Sequence, residues 1–251
     1  MNRRCMMGAA AAPMIAAGAG AAWAAVPANI TAALADKGRP AADSARDAAR
    51  KPGDLLAYAG VRPGDKVADL IMGGGYFTRI LAVAVGPKGQ VVAYQPAEFI
   101  RFQASYGEDQ KKIAAAYPNV TALSTGLGSL ELPAGLDLVM TVQNYHDLHL
   151  APFPKDTAAK VNTAVFKALK PGGVYLVVDH AAAAGAGIET ADKLHRIDPA
   201  IIKTEVEAAG FKLDGESKLL ADPADAHTAS VFDPSIRGKT DQVVLKFRKP
   251  K

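Results

Sequence analysis

The segment that most constrains the fold spans residues 67–78, which read Val-Ala-Asp-Leu-Ile-Met-Gly-Gly-Gly-Tyr-Phe-Thr. A short apolar run containing one acid is followed by three glycines and then by a helical pattern. This order predicts a strand, a tight turn and the start of a helix. A ligand site opens at such a turn in α/β proteins, because a backbone without Cβ atoms lets a ligand approach closely.

The rest of the chain alternates between short apolar runs and helical patterns. Strands are predicted at 66–71, 90–94, 120–123, 136–142, 174–179, from 211 and at 243–247. Helices are predicted at 41–50, 54–59, 76–85, 97–117, 156–169 and 199–209, with a turn at 170–173. This alternation predicts an α/β fold with a Rossmann-like, doubly wound, mostly parallel seven-stranded sheet covered by helices on both faces. The composition, with 49% hydrophobic and 22% charged residues, suits one domain.

The first 25 residues are predicted to be a signal peptide. A basic start at Arg3-Arg4 precedes an uncharged stretch rich in Ala, Gly and Met, and Ala22 and Ala24 suit a signal peptidase. The paired arginines are also compatible with twin-arginine export. We therefore expect a periplasmic or secreted protein, cytoplasmic only if the signal is not used. Residues 26–251 would form a single domain with a helical preamble at about 27–60 and no stable membrane insertion after cleavage.

Charge and cysteine content exclude several classes of function. Removing the signal deletes Arg3 and Arg4, so the formal net charge falls from +4 to +2, and the sequence contains no basic run. A nucleic-acid partner is therefore not expected. The one cysteine, Cys5, leaves with the signal, so the mature chain has no disulfide and no thiol nucleophile.

Two motifs together resemble the hallmarks of class I S-adenosylmethionine (SAM) methyltransferases. The first is Asp69-x-x-x-Gly73-x-Gly75 after the first strand, and the second is Ala-Leu-Lys-Pro-Gly-Gly-Val-Tyr-Leu at 168–176. The resemblance covers roughly residues 50–249, and the preamble and residues 194–211 resemble a small bacterial branch of predicted methyltransferases with export signals. It implies the class I methyltransferase fold, SAM as cofactor and methyl transfer to a small molecule.

A nicotinamide cofactor is the alternative for a glycine loop of this kind. A dinucleotide loop has the pattern Gly-x-Gly-x-x-Gly, in which the third glycine allows close packing of the helix and the helix N-terminus faces pyrophosphate. Counting from Gly73, the third position is Thr78. SAM has no phosphate and needs only backbone approach, so the loop favours SAM.

The resemblance also implies which residues hold the cofactor. They are Asp69, Gly73, Gly74, Gly75, Tyr76, Gln95 and Asn144. Three positions depart from the family pattern: Ile71 replaces a usual glycine, Gln95 replaces an acid that binds the ribose hydroxyls, and residues 124–126 lack the acid often used for adenine. Loss of the ribose carboxylate is expected to weaken cofactor binding about tenfold, unless Glu98 substitutes.

A second group of polar residues follows the fourth strand. Residues 143–149 read Gln-Asn-Tyr-His-Asp-Leu-His, and Asp179-His180 follows the fifth strand. The carboxyl ends of neighbouring parallel strands meet at one edge, where ligands bind. The histidines expected there are His146, His149, His180 and, from the next loop, His195.

Three interpretations of this group remain open. His146 is a candidate general base oriented by Asp147, with Tyr145 packed against cofactor or acceptor. Imidazole and carboxylate groups also bind metals, but adjacent His-Asp lacks a standard ligand spacing, so no metal ligand is assigned. The third interpretation is a loop that is only stiffened by hydrogen bonds.

Two functions follow from these interpretations. The first is SAM-dependent methyl transfer to an unidentified small-molecule acceptor, catalysed by His146, Asp147 and Tyr145. The second is an exported methyltransferase-like binding protein without transferase activity. Export favours the second, because SAM is charged and does not cross a membrane unaided. The oligomeric state is not predicted.

Overall fold

A computed structural model describes residues 25–251 of the chain. The predicted signal peptide at 1–25 therefore lies almost entirely outside the described residues. Within 25–251, no helix combines the length and the apolar character that crossing a membrane requires.

The described residues form one seven-stranded sheet. Its strands are β1 Lys66–Leu70, β2 Gln90–Tyr94, β3 Val120–Leu123, β4 Leu136–Val142, β5 Leu169–His180, β6 Lys212–Ser217 and β7 Gln242–Arg248. Their order is β3-β2-β1-β4-β5-β7-β6, and β7 is antiparallel to both of its neighbours while the other pairs are parallel. The predicted Rossmann-like, mostly parallel seven-stranded sheet is thereby confirmed.

Ten helices flank this sheet in the described residues. They are α1 Ala28–Leu34, α2 Ala41–Ser44, α3 Asp47–Arg50, α4 Pro52–Ala59, α5 Tyr76–Val85, α6 Ala97–Phe102, α7 Ser105–Ala116, α8 Thr157–Ala168, α9 Glu189–Leu194 and α10 Pro199–Ala208. Helices α1, α4 and α5 contribute to the core on one face of the sheet, and α8 and α10 contribute to the core on the other. Successive side chains of β4 point to opposite faces of the sheet, so Met140 lies in the first core and Val139 in the second.

Three predicted boundaries are wrong. The helix predicted at 41–50 is two short helices, α2 and α3, and Lys51 with φ 43° separates α3 from α4. The helix predicted at 97–117 is interrupted at Gln103, whose backbone is extended, and forms the two helices α6 and α7. The turn predicted at 170–173 lies within β5, where the pairing with β4 shifts register.

Candidate functional site

The three glycines after β1 have different surroundings. A Cβ on Gly73 would have no atom within 4 Å, and one on Gly74 would meet only Asp109 Oδ2 at 3.9 Å. A Cβ on Gly75 would clash with the side chain of Ile113. Gly73 and Gly74 therefore leave open space for a ligand, whereas Gly75, with φ 78°, is required for helix packing.

Ile71, at the position where the family pattern has a glycine, adopts a left-handed backbone. Its φ is 63°, in the left-handed region that β-branched residues rarely occupy. Such a conformation costs roughly 1–3 kcal/mol and persists where the surrounding structure enforces it. Asn144 contributes to that enforcement, because its Nδ2 donates to Ile71 O at 3.0 Å and to Val142 O at 2.8 Å. The end of β4 is thus tied to the glycine loop.

A cavity of about 190 Å³ opens over the glycine loop. Its lining includes Arg46, Arg50, Asp69, Gly73, Gly74, Tyr76, Gln143 and Asn144. Of the seven residues expected to hold a cofactor, five therefore line this cavity; Gly75 and Gln95 do not.

Contrary to expectation, the Gln95 side chain neither lines the cavity over the glycine loop nor lies where it could contact a ribose. Its side chain is buried, and its Oε1 accepts a hydrogen bond from the Gly73 N–H at 2.8 Å. Its Nε2 is buried with no hydrogen-bond partner in the described part of the chain. Gln95 thus holds the backbone of Gly73, and the carboxylate that lines a cavity after β2 is that of Glu98.

Asp69, at the end of β1, is a buried carboxylate with a single side-chain partner. The Thr78 hydroxyl donates to its Oδ2 at 2.6 Å. Burial raises the pKa of Asp69 to about 6, and the bond from Thr78 and the charge of Arg50 offset that rise only in part.

Helix α3 covers the glycine loop because polar contacts tie it to α5. The Tyr76 hydroxyl donates to Asp47 Oδ1 at 2.5 Å, and Arg39 donates to both oxygens of the same carboxylate at 2.6 and 2.9 Å. This arrangement holds the Arg50 guanidinium 4.3 Å from the centroid of the Tyr76 ring.

Arg50 brings a cation to the cavity and forms no ion pair or hydrogen bond within residues 25–251, although its charge acts on Asp69. Its Nε is buried and has no hydrogen-bond partner among residues 25–251. Burial and the neighbouring Arg46 lower the pKa of Arg50 from its usual value. A buried guanidinium donor is costly unless it is paired, so this one is suited to an anionic group of a ligand.

A larger cavity of about 840 Å³ adjoins the first. Gln143 and Asn144 line both cavities, so the two meet at the end of β4. Much of the larger wall is apolar, from Phe99, Phe102, Tyr106, Leu150, Phe153, Val231 and Phe232. Besides Gln143 and Asn144, the polar residues of the wall are Glu98, Arg101, His146, Asp147, His180 and His195.

Asp179, and not the adjacent Asp147, orients His146. The Asp179 Oδ1 lies 2.8 Å from His146 Nδ1, and its Oδ2 accepts the His146 backbone N–H at 2.6 Å. The Asp147 Oδ1 lies 3.3 Å from the other ring nitrogen, Nε2. Residue 179 comes beside this segment because β4 and β5 pair with Val142 opposite Val178.

The protonation of His146 follows from these neighbours. Burial acts to lower its pKa, but the charge and hydrogen bond of Asp179, with the charge of Asp147, raise it to about 9. The contact with Asp179 therefore favours the protonated form of His146, so Nε2 has to lose its proton before it can act as the expected general base or bind through its lone pair. His180 behaves in the opposite way, because burial lowers its pKa to about 4.

Three of the four predicted histidines meet at the larger cavity. The His146 Nε2 lies 3.2 Å from His195 Nδ1, and the rings of His146 and His180 are 6.1 Å apart. His149 points away, and its Nε2 lies 3.1 Å from Glu205 Oε2.

Tyr145 also lies outside both cavities. It is fully buried, its hydroxyl donates to Glu205 Oε2 at 2.9 Å, and Asn162 Nδ2 donates to that hydroxyl at 2.8 Å. The expectation that Tyr145 packs against cofactor or acceptor therefore does not match its position, because the backbone turn at His146–His149 directs it into the core.

One wall of the larger cavity comes from the long segment between β6 and β7. The buried Arg196 holds this segment, donating to Ala181 O and Ala229 O at 2.9 Å and to Asp225 at 3.0 Å. These bonds bring Phe232 beside His195, with ring centroids 4.7 Å apart. Sequence reasoning did not identify Arg196, which has no local motif.

Comparisons with known proteins agree with this topology. No protein-family model matches the chain. A SAM-dependent methyltransferase from Aquifex aeolicus superimposes with a TM-score of 0.55 at 17% identity, covering 81% of this chain and 97% of the other. A putative sarcosine dimethylglycine methyltransferase from Galdieria sulphuraria superimposes with a TM-score of 0.57 at 16% identity, covering 83% of this chain and 86% of the other. The chain has the class I SAM-dependent methyltransferase fold.

The same fold also occurs with a different reaction. The [4+2]-cyclase SpnF superimposes with a TM-score of 0.57 at 16% identity, covering 86% of this chain and 84% of the other. The activity of the present chain therefore has to be argued from its own side chains.

Proposed function

We propose that this protein binds SAM at the glycine loop and transfers its methyl group to a small-molecule acceptor in the adjoining cavity. The observation that carries the proposal is the unpaired Arg50 guanidinium beside the open backbone of Gly73 and Gly74. An anion that also needs close backbone approach is what this cavity is suited to bind.

The residues of the smaller cavity fit the amino-acid end of SAM. Arg50 would hold its carboxylate, and Asp69 would accept from its ammonium group. A volume of about 190 Å³ is below the roughly 300–1,000 Å³ typical of small-molecule sites, so the rest of the cofactor would extend past Asn144 into the larger cavity. There Glu98 would take the role expected of Gln95. When bound, SAM supplies an electrophilic methyl group.

The larger cavity supports an acceptor with an apolar body. Its aromatic and aliphatic wall would pack against that body, and its histidines and Asp147 offer polar contacts on one side. His146, fixed by Asp179, would orient the acceptor and stabilise developing negative charge. Positioning of the two reactants in a dry cleft would account for much of the rate.

We further propose the cellular setting and partners expected from the sequence. The protein would be periplasmic or secreted after removal of its signal, or cytoplasmic if the signal is not used. Its partner would be a small molecule, with no nucleic acid and no stable insertion into a membrane. A periplasmic location would require a supply of SAM outside the cytoplasm.

Calorimetry with SAM and with its demethylated product tests the proposal. We expect binding of both, and Arg50→Met should weaken it about 10- to 100-fold, since one charge-assisted hydrogen bond contributes about 1.5–3 kcal/mol. Arg46→Met is the matched control. That arginine is on the same helical segment, but its side chain is 51% exposed and pairs with Asp43 at 2.6 Å, so we expect a smaller loss.

Two results would overturn the proposal. One is the absence of heat with either ligand for a folded protein. The other is equal loss of affinity in both variants, which would assign the effect to overall charge and not to the unpaired guanidinium. Detection of a methylated product with candidate acceptors would then address transfer itself.

A further inference from the structure

Three potential metal-ligand atoms converge at the wall of the larger cavity. The His146 Nε2 lies 3.2 Å from His195 Nδ1 and 3.3 Å from Asp147 Oδ1, and the last two atoms are 3.8 Å apart. Ligand atoms bound at about 2.0–2.1 Å around a tetrahedral ion lie about 3.3–3.4 Å from one another. The three atoms are thus already spaced as ligands, with the widest pair needing to close by a few tenths of an ångström.

The surroundings of His146 are those of a ligating histidine. Its Nδ1 faces the fully buried Asp179 carboxylate at 2.8 Å, which leaves Nε2 directed at the cluster. In metal sites, a ligating histidine almost always donates its second ring N–H to a carboxylate or carbonyl in this way, which fixes the tautomer and ring orientation.

His195 reaches the cluster through an unusual backbone. It ends α9 with φ 53° and ψ 46°, a left-handed conformation for a residue other than glycine. Its ring is packed against Phe232. A histidine held at such a backbone position by a packed aromatic ring has a fixed direction, as a ligand requires.

The cluster also has an open side. All three side chains line the cavity of about 840 Å³, and they are 4%, 15% and 26% exposed for His146, Asp147 and His195. Three protein ligands with a free fourth position are typical of catalytic metal sites, in which water or a ligand completes the coordination. Two imidazole nitrogens with one carboxylate suit divalent first-row transition ions and not Mg²⁺ or Ca²⁺, which prefer oxygen.

From these contacts we propose that His146, Asp147 and His195 bind one divalent first-row transition-metal ion, with Asp179 as the positioning residue for His146. The fourth coordination position would face the cavity and take an oxygen, nitrogen or sulfur donor of a small ligand. The sequence alone does not indicate this site, because His195 is far along the chain from the adjacent His146 and Asp147. The proposal does not depend on SAM, since it rests on protein atoms alone.

The test is a titration of Zn²⁺ into the full-length, tag-free protein after treatment with a chelator. We expect one ion per chain. His195→Asn should weaken the binding more than 100-fold, beyond the 10- to 100-fold typical of losing an outer-shell partner. Asparagine tolerates the left-handed backbone at residue 195, so the substitution removes the ligand with little added strain.

His227→Asn is a closely matched control. His227 also has a positive φ, of 60°, its side chain is also 26% exposed, and its Nε2 lies 3.0 Å from the Asp241 carboxylate. It lies outside the cluster, so Zn²⁺ affinity should be unchanged. Equal loss in the two variants, or unchanged binding in His195→Asn, would overturn the proposal, as would a folded wild-type protein that binds no Zn²⁺.

Two further measurements keep the test decisive if His195→Asn does not fold. Asp147→Asn changes a partly exposed ligand and should also abolish stoichiometric binding, whereas retained binding would contradict the assignment. Co²⁺ bound in four-coordinate geometry absorbs strongly in the visible range, and this band should appear in the wild-type protein and His227→Asn. Its absence in the wild-type protein would equally contradict the site. SAM is left out of every titration, so the outcome is independent of the proposed transferase activity.

Discussion

Asp69 and Asp179 are both buried, and their ionisation is shifted in opposite directions. Asp69 lies one residue before the end of β1 and Asp179 one residue before the end of β5, with β4 between these strands. Their exposed fractions are 4% and 0%. Burial acts to raise the pKa of both, yet the pKa of Asp69 rises to about 6 while that of Asp179 falls below its usual value.

The difference comes from the partners of each carboxylate. Asp179 accepts from the backbone N–H groups of His146 and His180 and contacts the His146 ring, so its charge is compensated within the protein. Asp69 is contacted by Thr78 alone, through its hydroxyl and its backbone N–H, with only the charge of Arg50 acting on it besides. The two carboxylates are therefore similarly buried but differ in function. Asp179 organises the site, whereas the charge of Asp69 is left for a ligand to compensate.

Removing Asp179 should have the largest effect on stability. Asp179→Ala would leave the His146 ring and two backbone N–H groups buried without acceptors. Breaking a buried pair from one side costs about 3–5 kcal/mol, and we expect a loss of this size in the free energy of unfolding measured with denaturant.

The adjacent carboxylate provides the control for that measurement. Asp147 also approaches His146, at 3.3 Å, but its side chain is 15% exposed. Asp147→Ala should cost less than about 1 kcal/mol, because water can replace what is lost. If the two variants lose equal stability, Asp179 is not the compensated carboxylate described above.

Neutralising Asp69 should increase the free energy of unfolding, and the size of the increase should depend on pH. A carboxyl group whose pKa rises on folding contributes stability below its unfolded value of 3.8, and this contribution is lost as pH rises through about 6. Asp69→Asn keeps the shape without the charge. At pH 7 the variant should therefore be more stable than the wild type by up to about 3 kcal/mol.

The difference between the two proteins should disappear below about pH 4, where Asp69 is protonated in both the folded and the unfolded state. Denaturant unfolding of the wild type and Asp69→Asn at several pH values measures this difference in the free energy of unfolding. The variant should also bind SAM more weakly, since the ammonium partner is gone. A variant that is less stable at pH 7 than at pH 4, relative to the wild type, would show that another group compensates Asp69.

A third carboxylate, Glu205, extends the comparison to a partly exposed position. Tyr145→Phe removes the hydrogen bond donated to Glu205 and the one accepted from Asn162 Nδ2, while His149 remains in contact with Glu205 at 3.1 Å. We expect a loss of about 1–3 kcal/mol in the free energy of unfolding, because the buried Asn162 amide is left without its acceptor. SAM affinity should be unchanged in calorimetry, and a clear decrease would mean that Tyr145 reaches the ligand after all.

Much of the fold could be predicted because its signals are local. The order of β1, the glycine loop and α5 follows from residues 66–85, and strand alternation gave the sheet. The side chains of 143–149 were harder. In a strand, side chains alternate between the two faces of the sheet, but this rule no longer applies after the end of β4. The short helical turn at His146–His149 places the His146 side chain at the cavity and the His149 side chain in the interior.

The partners of the site residues required long-range pairing. Asp179 could have been matched to His146 by aligning the ends of β4 and β5, since both strands are apolar and adjacent. Gln95 was expected to face a ligand because of its position after β2, but its bond to Gly73 depends on the loop backbone. The unpaired state of Arg50 follows only from the packing of α3 against α5.

Arg196 has a consequence for how ligands would enter. Because its guanidinium joins Ala181, Ala229 and Asp225, the segment that carries Phe232 is ordered when the chain folds. Ordering a side chain at binding costs about 0.5–1.5 kcal/mol of entropy, and a mobile loop would subtract this for each residue it immobilised. In this molecule that entropy is lost during folding, so the ordering of this segment would not be subtracted again when a ligand binds the larger cavity.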